Sequence, residues 1–150
     1  MTRRLRACAL ALAAFLAGAG DGLAQSPGDT LTRWGLIGTW ALDCGQPASG
    51  SNGYLSYVRH PGGRVTHERD FGDRRDSNEV QRAQTGRGGA LELVVHFAGL
   101  GHSRRYTLVM GLDGRIKAIA NSRVDGSEVT IRDGRFTANG QEAPWQVRCR

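Results

Sequence analysis

Lysine is almost absent: Lys117 stands alone among twenty basic residues, so nearly all the positive charge is arginine, a bias that fits a GC-rich bacterial coding sequence. Long apolar runs are missing after the first two dozen residues, and nothing there approaches the ~20 consecutive apolar residues of a membrane-crossing helix, so no membrane span is expected. Catalytic and metal signatures are missing too. His60, His67, His96 and His102 have no spacing that converges on a metal, and no Gly-x-Ser-x-Gly elbow joins a serine to a histidine and an acid. Asp70, Asp73 and Asp76 lack the spacing of a calcium loop and read as a solvated corner. No metal, no cofactor and no enzymatic activity are therefore expected. The formal net charge is +6, but the arginines are scattered among acids with no basic run interleaved with aromatics, which argues against a nucleic-acid partner.

What is present starts with a leader. Arg3, Arg4 and Arg6 precede an apolar run, and Gly22, Leu23 and Ala24 lie before Gln25, the layout of a secretory signal peptide over residues 1–24. Cleavage there would remove three arginines and one aspartate and lower the net charge to about +4. The remainder suits one domain with a modest core, delivered to the periplasm or secreted. Cys8 lies in the leader, which leaves Cys44 and Cys149. An exported chain with two cysteines is expected to join them in a disulfide bond. The bond would close a ring of about 105 residues and stabilise by roughly 4–5 kcal/mol on the chain-entropy model.

Residues 25–35 are polar at first, with Pro27 and Gly28, and read as a flexible lead-in to a domain over 36–150. That domain opens on a strand. Leu36, Gly38, Trp40, Leu42 and Cys44 share one face at period two, and a glycine before a large aromatic suits a strand that must bend. The triplet Gly38-Thr39-Trp40 resembles the opening strand of the lipocalin and calycin β-barrels. The resemblance implies that Trp40 plugs one end of a barrel and that an arginine near the last strand, Arg148 or else Arg150, covers its ring through a cation–π contact. Gly38, Trp40 and Arg148 are thus structural residues by resemblance.

The rest of the chain alternates strand patterns with turns every eight to twelve residues. Pro61-Gly62-Gly63 makes a turn, residues 90–97 alternate cleanly between apolar and polar, and Asp-Gly pairs at 113, 125 and 133 mark tight hairpins. Residues 77–84 are polar on both faces and read as a frayed part of the wall. Eight or nine strands are expected, in a single up-and-down antiparallel β-barrel of all-β class, with a β-sandwich as the alternative. Residues 45–53, rich in Gly, Ser, Pro and Asn, form a long loop at one mouth, a candidate lid.

A barrel of eight strands is wide enough to hold one small ligand. His67 and Arg69, then Arg104 and Tyr106, point inward by alternation and are the candidate ligand-binding residues. A buried arginine requires an anionic partner, which either a ligand carboxylate or an acid of this chain would supply. Three functions stay open at this point. The first is a lipocalin-like carrier of a small hydrophobic or anionic molecule. The second is a module with an envelope protein partner, such as a protease or lysozyme inhibitor. The third is a structural or stress-related envelope protein without a pocket.

Overall fold

The computed structural model describes residues 25–149, so the leader assigned to residues 1–24 and the alternative ring cover Arg150 lie outside the described residues. The lead-in is not featureless: Pro27–Trp34 forms an α-helix, α1. The Ser26 hydroxyl caps it by accepting from the Asp29 backbone N–H at 3.1 Å, and Pro27 occupies the first turn, where its missing N–H is no loss. Gly35, in the left-handed region at φ 88°, ends the helix, and the Leu36 N–H reaches back to the Leu31 carbonyl at 2.9 Å. Leu31 and Leu36 are both fully buried in the core. This corrects the flexible reading of residues 25–35: two leucines anchor a short helix whose other face is polar.

Ten antiparallel strands follow: β1 (Gly38–Ala41), β2 (Tyr54–Arg59), β3 (Val65–Asp70), β4 (Arg75–Thr85), β5 (Leu91–Phe97), β6 (His102–Met110), β7 (Ile116–Arg123), β8 (Val129–Arg132), β9 (Arg135–Phe136) and β10 (Val147–Cys149). They form one sheet in the order β10-β1-β2-β3-β4-β5-β6-β7-β8-β9, which makes the described chain all-β apart from α1. The ladder order itself does not close. An isolated bridge, however, links Ile116 at the start of β7 to Gln146 just before β10, through hydrogen bonds of 3.0 and 2.8 Å.

The strand expected to fray is the longest. In β4 the register slips between Val80 and Arg82, so that Val80 opposes Val95 and Ala83 opposes Leu93. Both partners belong to the buried face of β5, so the bulge lets an even and an odd position turn to the same side. Strict alternation therefore fails there although the pairing continues.

At the N-terminal end of β1 the backbone of Gly38 has φ 134°, and a Cβ added there would meet the Arg148 guanidinium at 3.1 Å. Trp40 lies opposite Arg148 in the ladder, with the guanidinium carbon 5.7 Å from its ring. The indole Nε1 donates to the Leu36 carbonyl at 2.9 Å. The Cys44–Cys149 disulfide is present, with Cα atoms 5.5 Å apart, and ties the segment after β1 to β10. A disulfide is compatible with an extracytoplasmic location. No helix among the described residues is long and apolar enough to cross a membrane.

Candidate functional site

The two ends of the sheet differ. Helix α1 lies across one of them: the Trp34 indole donates to the Gly89 carbonyl in the turn after β4, at 2.7 Å. Gly28 packs so closely on the turn after β2 that a Cβ would come within 2.8 Å of the Gly63 carbonyl oxygen, and Gly35 abuts Met110 at the end of β6. At the other end a cavity of about 470 Å³ opens, bounded by Leu42, Gly50, Ser51 and Gly53 from the β1–β2 loop and by Phe136, Ala143 and Pro144. Its volume is that of a small-molecule site. Leu55 of β2 and Ala118 of β7 both line it although five places separate their strands, so the sheet curls around this space.

Three of the four sequence candidates meet here: His67, Arg69 and Tyr106. The His67 and Tyr106 rings are 6.2 Å apart across the interior, and Tyr57 packs edge-on against His67 at 4.7 Å. His67 is only 2% exposed, and neither ring nitrogen has a hydrogen-bond partner from the protein. Unpaired buried polar atoms are costly, so they call for an explanation. Burial, reinforced by the Arg69 charge and only partly offset by Asp76, lowers the His67 pKa to about 3.

Arg69 is not waiting for an anion. Its Nε donates to Asp76 at 2.8 Å and its Nη2 to the other carboxylate oxygen, while its guanidinium carbon stands 4.5 Å from the Phe97 ring centre. That fork holds the Asp76 carboxyl below the usual range. Tyr106 is shifted upward, chiefly by burial, against the opposing hydrogen bond from Asn121. The fourth candidate, Arg104, does not line the cavity. It is 8% exposed and donates to Asn121 at 2.7 Å, Thr130 at 3.0 Å and Glu128 at 3.1 Å, which cross-braces β6, β7 and β8.

Sequence reasoning placed Asp76 in a solvated corner. It opposes Arg69 directly in the β3–β4 ladder, which becomes visible only once β4 is seen to begin at Arg75. The mouth loop is also more ordered than its composition suggests. Asn52, 8% exposed, donates from Nδ2 to the carbonyls of Asp43 at 2.9 Å and of Gln46 and Pro47 at 3.3 Å, and its Oδ1 accepts from the Asp43 N–H at 3.0 Å. Tyr54 adds a hydroxyl bond of 2.6 Å to the Gln46 carbonyl. Among the described residues, no group of three or more His, Cys, Asp or Glu could hold a metal ion.

The buried imidazole leads to a measurable pH dependence. Near pH 7 His67 is neutral in the folded chain, and so, mostly, is the unfolded chain's histidine with its value near 6.5. As the pH falls from about 6.5 toward about 3, the unfolded chain takes up a proton that the folded chain refuses. Stability then falls by about 1.4 kcal/mol per pH unit in that window. Between pH 7 and pH 5 the wild type is expected to lose roughly 2 kcal/mol more than His67→Phe in urea titrations. Equal losses would show that another group titrates.

No family model, no curated protein and no solved structure matches this chain.

Proposed function

We propose that this chain is an exported, lipocalin-like binding protein that is not an enzyme. It holds a small, mostly apolar molecule bearing one hydrogen-bonding group. The observation that carries this reading is His67, a buried neutral imidazole whose two ring nitrogens lack protein partners at the wall of an otherwise largely apolar cavity. A ligand polar atom would meet that demand. The expected anionic ligand loses its argument, because Asp76 already neutralises Arg69 and Glu128 neutralises Arg104. The Ile116–Gln146 bridge, followed by the β10–β1 ladder, supports closure of the sheet into an up-and-down barrel, with β8 and β9 lying outside the seam.

The test is native mass spectrometry of protein recovered gently from a bacterial envelope, beside the variant Ala118→Phe, which puts a ring into the cavity. The expected result is a reproducible non-covalent adduct on the wild type that the variant lacks, while the variant's unfolding midpoint is kept. An adduct retained by Ala118→Phe would place the ligand elsewhere. A bare wild type that also fails to bind an apolar dye such as anilinonaphthalene sulfonate would end the carrier reading. The protein-binding reading would then take over, favoured by the Asn52-centred loop, which is rigid enough to present to a partner with little ordering cost.

A further inference from the structure

The end closed by α1 carries a different surface, independent of the cavity. Three turns meet the helix there, and four exposed arginines stand on this end: Arg33 on the helix, Arg64 and Arg87 beside two of the turns, and Arg148 on β10. Among the described residues none of the four has a carboxylate within ion-pairing distance, as all eight ion pairs found involve other bases. The acids of the helix and of the third turn are already engaged, Asp29 by Arg59 and Asp113 by Arg115, each at 2.6 Å. Glu92, just behind the second turn, accepts a hydrogen bond from Gln84. This end is therefore a net positive surface.

The same end exposes apolar side chains. Leu112, at the tip of the turn between β6 and β7, is fully exposed, and Met110 beside it is 41% exposed. The half-buried Trp34 shares a shallow cleft with Met110, Arg115 and Arg148. Leucine at a tip, an indole at the shoulder and arginines around them form a combination that a bilayer interface accommodates. The apolar groups enter the acyl boundary, the indole sits at headgroup depth, and guanidinium groups meet phosphates.

We propose that the helix-closed end docks on an anionic phospholipid surface, with Arg33, Arg64, Arg87 and Arg148 against the headgroups and Leu112 inserted. The cavity mouth lies at the opposite end and would face away from the bilayer, open to the aqueous compartment. Docking and ligand uptake would thus not compete for the same face.

Vesicle co-sedimentation tests this, with protein recovered from a periplasm so that all variants share one processed N-terminus. The expected result is binding to vesicles of phosphatidylglycerol and phosphatidylcholine, loss of binding on pure phosphatidylcholine, and weakening with salt. Each basic residue near such a surface is worth about 1 kcal/mol, or about fivefold in affinity. Arg64→Gln with Arg87→Gln should therefore bind about 25-fold more weakly. The wall pair Arg82→Gln with Arg105→Gln has the same net charge and should stay within about threefold of wild type. Leu112→Ser should weaken binding while keeping its salt dependence. Equal losses in the two arginine pairs would reduce the effect to net charge and overturn the docking face. No effect of Leu112→Ser would overturn insertion. Failure to bind anionic vesicles, with an acidic protein or polysaccharide held on this end instead, would replace the membrane by that partner.

Discussion

Cys44→Ser and Cys149→Ser are each expected to lower the unfolding free energy by about 4–5 kcal/mol relative to the oxidised wild type, the figure for cross-linking a ring of this length. The separation of 105 residues is most of the described chain. Without the bond, the unfolded chain gains freedom over nearly its whole length, while the folded chain loses only one tether. That tether matters more than its size, because β10 is three residues long and its ladder to β1 spans three residue pairs. Urea midpoints of the two variants should coincide with each other and with that of reduced wild type. If both variants unfolded with the oxidised wild type, the bond would be shown to contribute nothing to the fold.

Trp40→Ala is expected to cost about 3–5 kcal/mol, as for other large aromatic truncations in a core. The side chain is 1% exposed and is among the largest fully buried ones. Its removal would leave a cavity beneath α1 and free the Leu36 carbonyl that the indole now satisfies. The Arg148 guanidinium would lose the ring beside it. Trp40→Phe should recover most of the packing and cost about 1–2 kcal/mol, mainly the missing hydrogen bond. Arg148→Ala should cost about 1 kcal/mol or less, since the cation is exposed. A loss below about 1 kcal/mol for Trp40→Ala would mean that the ring is not part of the core.

Much of the architecture was legible because local rules agreed with the final packing. Alternation at Leu91, Leu93, Val95 and Phe97 marked a strand buried on one face, and all four are buried. Asp-Gly pairs marked the late hairpins, and export reasoning paired Cys44 with Cys149 as found. The candidate site was partly legible. His67, Arg69 and Tyr106 line the cavity, whereas Arg104, on the same face of β6 as Tyr106, is drawn away by Asn121, Glu128 and Thr130. Alternation assigns a face but not a depth along the sheet, so it could not separate a cavity residue from a brace.

The misses have definite causes. Helix α1 carried a readable start in Ser26, Pro27 and Asp29, but only two buried leucines frame its end, too few for a helical period to stand out. The β4 bulge reverses the parity on which strand reading depends. The partner of Arg69 lies seven residues on, across a turn that the sequence pattern ends two residues too late, at Asp76 rather than before Arg75.

By itself the sequence determined the class of the fold, the turns, the disulfide and the identity of the inward residues, because each follows from short-range sterics, periodicity or cysteine chemistry. Only the tertiary structure decided how the sheet curls, which acid neutralises which arginine, and that His67 is left unpaired at a cavity wall. The curl and the setting of His67 depend on contacts between strands three to five places apart in the sheet, and the ion pairs depend on the register of nearer strands, as where Asp76 of β4 opposes Arg69 of β3; no local pattern in the chain encodes either.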